Sequence, residues 1–191
     1  MRHLCVFCGA AVGERPEYAD AARALGRLLA ERGIGLVTGG GSVGLMGVIA
    51  DAVLDAGGEA IGVIPRSLVD RELGHGGMTS LYVVGSMHER KALMHELSDA
   101  FVALPGGYGT LDELFEALTW RQLGIHGKPV AMLDTLGYWE PLKGLLDGLV
   151  DGGFVHHGNR AQLLWANEPG ELLDLLAATR QLGVEPGAPT P

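Results

Sequence analysis

The fold is indicated most clearly by one stretch of the sequence, Ala100-Phe-Val-Ala-Leu-Pro-Gly-Gly-Tyr-Gly-Thr-Leu-Asp-Glu113. Its first five residues form an apolar run that predicts a buried strand, and the apolar spacing from Leu111 onward predicts a helix. A strand that passes through a glycine turn into a helix is a common phosphate-binding arrangement in α/β proteins, because bare N–H groups and the positive helix end face the anion. We therefore predict a phosphate loop made of Gly106, Gly107, Gly109 and Thr110.

Glu113 lies one turn into the predicted helix, beside this loop. A carboxylate at that place would repel a phosphate, so it suits a part of the ligand that carries no negative charge. This indicates chemistry on a nucleotide away from its phosphate. The spacing of Thr110 and Glu113 also fits a capping box, in which the glutamate returns to the N-cap backbone N–H. Both interpretations of Glu113 stay open at this point.

Composition and charge narrow the class of protein. The 191 residues fit one domain with a sizeable core, and 31 glycines with 47% hydrophobic residues suit tight turns around apolar strands. A formal net charge of −9 argues against a nucleic-acid polymer as partner. The sequence has no apolar stretch of membrane-spanning length, and the first strand is predicted to begin at His3. We therefore expect no signal peptide, no membrane partner and a cytoplasmic location.

The cysteines and histidines predict neither a redox motif nor a metal site. Cys5 and Cys8 have C-x-x-C spacing but fall in a predicted strand, where residues three apart point to opposite faces. We interpret them as buried core thiols. The seven histidines show no spacing that is typical of a metal site. No metal and no cofactor are expected.

Predicted strands and helices alternate along the whole chain. The strands are predicted at 3–8, 35–38, 60–64, 80–84, 100–104 and 129–133. The helices are predicted at about 17–31, 43–56, 87–97, 110–123, 138–150 and 169–180. This alternation predicts an α/β fold with a mainly parallel sheet covered by helices on both faces, spanning residues 1–182. The Pro- and Gly-rich stretch 183–191 is predicted to be a disordered tail.

A second glycine loop spans Thr38–Gly47 and fits two short motifs. The dinucleotide fingerprint G-x-G-x-x-G belongs after the first strand, whereas this loop follows the second. A serine hydrolase would use Ser42 with Asp134 and His156 or His157, but that fold needs a longer chain and an oxyanion loop before the serine. A second phosphate or ribose loop has fewer requirements, and its predicted residues are Gly40, Gly41, Ser42 and Gly44.

A third motif reads Ser86-Met-His-Glu-Arg-Lys-Ala-Leu-Met94. Ser86 and Glu89 have capping-box spacing, which gives Glu89 a structural role. Arg90 and Lys91 then fall in the first turns of the helix, where the dipole disfavours cations. A solvated basic pair is the simpler interpretation, but the two glycine loops favour a bound anion nearby.

These three motifs together resemble the signatures of the LOG family, the cytokinin riboside 5'-monophosphate phosphoribohydrolases. The resemblance is carried by Gly39–Gly47, Met87–Lys91 and Pro105–Glu113 and extends from Val6 to about Gly137. It implies a single Rossmann-like three-layer domain and a homodimer that hydrolyses the N-glycosidic bond of a cytokinin riboside 5'-monophosphate or AMP. Members have often been labelled lysine decarboxylases, but no lysine here lies in a recognisable pyridoxal phosphate context.

The resemblance also implies roles for matching positions. Arg90 and Glu113 would be the catalytic pair. The substrate site would be lined by Glu72, Arg90, Lys91, Gly107, Tyr108, Gly109, Thr110, Leu111, Asp112, Glu113 and Thr119. The first loop reads Cys8-Gly-Ala-Ala11, where relatives commonly carry serine, so backbone donors would replace a hydroxyl there.

Two further expectations concern assembly and the alternative function. Trp120 and the following segment 121–126 predict an exposed apolar surface that would serve as the dimer interface. A non-catalytic nucleotide sensor or carrier on the same fold would need the glycine loops and Arg90 but not Glu113. The intact glutamate favours an enzyme.

Overall fold

The computed structural model describes residues 1–72 and 74–181, and within this part seven strands form one sheet. Every neighbouring pair of strands is parallel. The strands are β1 (His3–Phe7), β2 (Gly35–Thr38), β3 (Ala60–Pro65), β4 (Ser80–Val84), β5 (Ala100–Ala103), β6 (Val130–Leu133) and β7 (Leu163–Ala166). Their order across the sheet is β4-β3-β2-β1-β5-β6-β7.

Helices cover both faces of this sheet. They are α1 (Pro16–Glu31), α2 (Gly44–Asp55), α3 (Arg66–Glu72), α4 (Met87–Leu97), α5 (Tyr108–Gln122), α6 (Glu140–Asp151), α7 (His157–Ala161) and α8 (Pro169–Gln181). Side chains of α1, α2 and α8 pack into the core on one face, and those of α4, α5 and α6 into the core on the other. The three-layer α/β fold predicted from the sequence is confirmed.

Strand β1 shows why the central strands are apolar over most of their length. Leu4 and Val6 belong to the core under α1 and α2, whereas Cys5 and Phe7 belong to the core under α4 and α5. Cys8 lies on the face opposite to Cys5, as the strand period predicts, and both thiols are free and buried. Burial raises the pKa of both thiols well above its usual range, so they remain protonated.

The sheet reverses its order of connection between β1 and β5. Strands β2, β3 and β4 extend from one side of β1, and β5, β6 and β7 from the other. The helices after β1 and β5, which are α1 and α5, lie on opposite faces. Such a switch point opens a crevice at the carboxyl ends of the strands, where parallel sheets bind ligands.

Three elements were missing from the sequence prediction: β7, α3 and α7. Strand β7 reads Leu-Leu-Trp-Ala and has no β-branched residue, so its composition does not distinguish it from the helices on either side. Helix α6 begins at Glu140 rather than 138 because Thr135–Gly137 forms a 3-10 turn with Leu136 and Gly137 at positive φ. The predicted tail, 183–191, lies outside the described residues. No helix within the described ranges is long and apolar enough to cross a membrane.

Candidate active site

The loops after β1, β2 and β5 meet at the carboxyl end of the sheet, and Gly9 joins them. The backbone N–H of Gly9 donates to the carbonyl of Pro105 at 3.0 Å, and the N–H of Leu45 donates to the carbonyl of Gly9 at 3.0 Å. The start of α2 is therefore connected to the loop before α5 through a single residue, Gly9. Three glycine-bearing loops thus converge at the carboxyl end of the sheet.

Two glycines in these loops are required by close packing. Gly44 has a φ of 65°, and a Cβ there would overlap the backbone of Ala10. A Cβ at Gly106 would overlap Oγ1 of Thr110 and would lie 2.9 Å from the N of Gly9. Gly44 and Gly106 thus bring the loops together, whatever ligand they hold.

The first turn of α5 presents open backbone donors. Its N-cap is Gly107, and no side chain caps the helix. A helix leaves the N–H groups of its first turn without intrahelical acceptors, and here they belong to Tyr108, Gly109 and Thr110. A Cβ built at Gly107 or Gly109 would meet no atom of the described residues within 4 Å. This helix start is therefore accessible to an anion.

The position of the α5 start also decides between the two interpretations of Thr110 and Glu113. Because the helix begins at Tyr108, Thr110 is its third residue and not its N-cap. The capping-box interpretation is wrong, since it requires Thr110 at the N-cap. In α4, by contrast, Oγ of Ser86 accepts from the N–H of Glu89, while the Glu89 carboxylate accepts from Gly85, one residue before the expected donor.

The loop after β2 is folded inward over much of its length. Gly40 and Gly41 are buried, the carbonyl of Gly40 accepts from the N–H of His75 at 3.0 Å, and the N–H of Gly41 points at Sδ of Met46. Ser42 is exposed. Of the four residues predicted here for phosphate, Ser42 and the half-buried Gly44 reach the surface.

Arg90 is a buried guanidinium held by backbone carbonyls. Its Nε donates to the carbonyl of Val63 and its Nη2 to the carbonyl of Gly39, both at 3.2 Å, and only 6% of the residue is exposed. A Cβ at Gly39 would overlap Nη2, so this position must be glycine for Arg90 to lie there. Within the described part of the chain Arg90 has no carboxylate within ion-pair distance. A buried cation without a counter-ion is a binding site for an anion or an electron-rich group.

Glu113 is a half-buried carboxyl that interacts with the charge of Arg90. Burial raises its pKa to about 7, although the charge of Arg90 acts in the opposite direction. A carboxyl with this pKa exchanges a proton near neutral pH, which is the property of a general acid or base. The structure thus brings the two residues of the predicted catalytic pair into one electrostatic neighbourhood, from α4 and α5.

Lys91 is occupied differently from Arg90. Its Nζ lies 3.1 Å from Oδ2 of Asp112 and 2.8 Å from Oε2 of Glu116, both on α5. The anion that we expected next to Lys91 is therefore supplied by two carboxylates of this chain. Its predicted contact with substrate stays a prediction.

Two other predicted site residues have different surroundings. Thr119 is exposed, its hydroxyl donates to the carbonyl of Phe115 at 2.6 Å, and it lines a cavity of about 150 Å³ between α5, α6 and α7. None of the glycine-loop residues lines that cavity. The side chain of Glu72 lies outside the described residues.

Sequence reasoning missed Tyr138. Its hydroxyl donates to the carbonyl of Gly106 at 2.7 Å, and its ring packs edge-on against Tyr18 at 5.5 Å between centroids. The two tyrosines border a cleft of about 450 Å³ whose other walls include the loops after β1 and β5, at the switch point of the sheet. No sequence signal marked either tyrosine, because their contacts join segments far apart in the chain.

Fold and site together define a Rossmann-like α/β protein with an anion-accessible helix start and an arginine–glutamate pair beside it. A family profile described as "Possible lysine decarboxylase" matches residues 46–176. The chain is 49% identical over 172 residues to the "Cytokinin riboside 5'-monophosphate phosphoribohydrolase LOG" of Oryza sativa subsp. japonica, covering 90% of this chain and 71% of that protein. It is also 49% identical to the LOG2 enzyme of Arabidopsis thaliana, covering 92% and 82%. The chain belongs to the LOG family.

Solved structures with the same fold include proteins of another kind. The molybdenum cofactor binding protein of Rippkaea orientalis has a TM-score of 0.70 and 26% identity, covering 93% of this chain and 96% of that one. The molybdenum cofactor carrier protein of Chlamydomonas reinhardtii has a TM-score of 0.71 at 22% identity, covering 94% and 98%. The second likeness, at its lower identity, shows the fold alone.

Proposed function

We propose that this protein hydrolyses the N-glycosidic bond of a nucleoside 5'-monophosphate, releasing a free purine base and ribose 5-phosphate. The observation that carries the proposal is Glu113, a carboxyl with a pKa raised to about 7, near the buried Arg90, which has no ion-pair partner among the described residues. The substrates are cytokinin riboside 5'-monophosphates and AMP. Relatives that are about half identical over most of the chain carry the first activity in their names.

The chemistry follows from these two side chains. Cleavage of the bond leaves positive charge on the anomeric carbon of the ribose, and a carboxylate stabilises that charge or takes a proton from the attacking water. Glu113 in its ionised form supplies this carboxylate. The base leaves with the bonding electrons and is protonated, while water adds its oxygen to the anomeric carbon.

Arg90 supplies the positive charge, and two positions of the substrate could use it. The leaving base gathers electron density on its ring nitrogens, and the phosphate carries negative charge throughout the reaction. The N–H groups at the start of α5 hold the phosphate, which positions the ribose against Glu113. Binding of a remote phosphate thereby accelerates a step at another atom.

A ligand-binding or carrier function without catalysis is the second candidate, because one solved structure of this fold, at 26% identity, is a molybdenum cofactor binding protein. A carrier requires a ligand site but no group that titrates near neutral pH. Glu113 therefore favours the enzyme.

Two finer points belong to the same proposal. The protein is a homodimer, which is supported by the exposed side chains of Leu123 and Ile125 after α5. It acts in the cytoplasm, which is consistent with two unpaired thiols, Cys5 and Cys8.

The test is product identification. The purified protein is incubated with AMP and, separately, with isopentenyladenosine 5'-monophosphate, and chromatography measures free base and ribose 5-phosphate. We expect both products in equal amounts from at least one nucleotide. Tight nucleotide binding without release of base would instead favour the carrier.

A further inference from the structure

We propose that Lys91 is a positioning residue for Glu113, which holds α5 against α4 and offsets the charges of Asp112 and Glu116, rather than a ligand of the substrate phosphate. The inference rests on the proposed function, because it concerns the ionisation of Glu113 in that reaction.

Two carboxylates of α5 occupy most of the hydrogen-bonding capacity of the Lys91 ammonium group. It bridges Asp112 at 3.1 Å and Glu116 at 2.8 Å, and only 11% of its side chain is exposed. An ammonium group has three donors, and two of them are used here. Because the two carboxylates lie one turn apart on α5, the bridge fixes both the distance and the rotation of α5 relative to α4.

Glu116 depends on this bridge. Its side chain is 20% exposed, and its second oxygen, Oε1, is buried without a hydrogen-bond partner among the described residues. A buried carboxylate with one unpaired oxygen needs a nearby cation. Burial alone would lower the pKa of Lys91, but hydrogen bonds to Glu116 and Asp112 outweigh that effect and raise it. Lys91 therefore stays charged across the working pH range.

All three members of the bridge act electrostatically on Glu113, together with Arg90. From α4, Arg90 and Lys91 lower the pKa of Glu113, and from α5, Asp112 and Glu116 raise it. The neighbouring groups on and after β1 are the buried thiols of Cys5 and Cys8, which are protonated and uncharged.

The bridge therefore has a defined electrostatic effect. Lys91 carries one positive charge and faces two negative ones, so its removal changes the local sum from −1 to −2. The loss of this positive charge favours the protonated form of Glu113 and so raises its pKa.

The first experiment is the pH profile of kcat/KM for Lys91→Met. A rate that needs ionised Glu113 falls as the pH drops through the pKa of that group, which is about 7 in the intact protein. In Lys91→Met we expect this acidic limb to move to higher pH by about one unit, a tenfold loss of rate at pH 6. The double variant Lys91→Met with Glu116→Gln restores the local charge to −1, so its limb should return toward the wild-type position.

Lys143 provides a matched control. It also bridges two carboxylates, Asp134 at 2.9 Å and Glu140 at 2.6 Å. Lys143→Met should lower thermal stability to a similar degree and leave the acidic limb in place. Lys91→Arg, which keeps the charge, should keep the limb within a few tenths of a pH unit.

The second experiment does not depend on catalysis. The side-chain carboxyl of Glu113, labelled with carbon-13 and assigned by comparison with Glu113→Gln, is titrated by NMR in the unliganded wild type and in Lys91→Met. A higher midpoint in Lys91→Met supports the inference even if no nucleotide is hydrolysed, which would defeat the proposed function alone. An unchanged midpoint would overturn the inference. So would a rise in KM for AMP with an unmoved acidic limb of the pH profile, which would indicate that Lys91 is a ligand of the substrate phosphate.

Discussion

Arg90 and Glu113 share one physical property: each is removed from water more than an ordinary surface charge. The guanidinium of Arg90 is oriented by two carbonyl oxygens, which fix its plane without neutralising it. Burial raises the pKa of the Glu113 carboxyl to about 7. A buried cation near a carboxyl that titrates near neutral pH suits an acid–base reaction on a nucleotide.

Substitution of Glu113 by glutamine tests its role directly. We expect base release to fall about a hundredfold or more, as is typical when a general base or a charge stabiliser is removed. The residue does not form a capping box, so thermal unfolding should change little. A variant that keeps wild-type turnover would leave Glu113 without a catalytic role.

Gly39 offers a test of Arg90 that leaves Arg90 itself intact. A methyl group at this position would overlap Nη2, so Gly39→Ala should displace the guanidinium and lower kcat/KM on AMP by about a hundredfold. Gly144→Ala, in the open middle of α6, is the control and should retain full activity. If both alanine variants were equally active, the position of Arg90 would not matter.

Among the elements, the start of α5 combines an exposed first turn with a tightly packed residue just before it, Gly106. Gly107 and Gly109 face open space, while Gly106 packs between Thr110 and Gly9. We expect Gly106→Ala to move this turn and to weaken nucleotide binding. Thermal shift with AMP measures the effect: the rise in Tm seen for wild type should shrink in Gly106→Ala and persist in Gly148→Ala, another glycine with open space around it. An equal rise in all three proteins would exclude the turn as the binding element.

The sequence predicted elements better than contacts between them. Six strands and six helices followed from apolar patterns, because a central strand such as β1 is buried on both faces and is therefore apolar from Leu4 to Phe7. The partners of Lys91 could not be found in this way. Asp112 lies 21 residues away, and only the packing of α4 beside α5 brings it near.

The inward fold of the β2 loop escaped prediction for the same reason. Its glycines fit a phosphate loop by spacing, but the carbonyl of Gly40 accepts a hydrogen bond from the N–H of His75, which lies between α3 and β4. A glycine pattern reports backbone freedom, not the direction in which the amides point.

At the scale of the whole molecule, the region after α5 carries the dimer prediction. Leu123 is 57% and Ile125 62% exposed, whereas Trp120 packs against the His95 ring at 4.5 Å and belongs partly to the core. Leu123→Asp combined with Ile125→Asp should convert a dimer to a monomer, as measured by light scattering. Leu145→Asp, at an equally exposed position on α6, should leave the mass unchanged. A monomeric wild type that is fully active at high dilution would contradict the prediction.

We propose that the start of α5 and the glycine loops around it hold the phosphate of the substrate, and substrates without that phosphate test this proposal. We expect kcat/KM for AMP and for isopentenyladenosine 5'-monophosphate to be at least about a hundredfold higher than for adenosine and for the free riboside. The reason is that charge-assisted hydrogen bonds contribute roughly 1.5 to 3 kcal/mol each, and a substrate without the phosphate loses at least two of them. The measurement is the rate of base release from each nucleotide and its nucleoside under identical conditions. Equal rates on adenosine and AMP would contradict the account, since the start of α5 and the glycine loops around it would then not hold a phosphate.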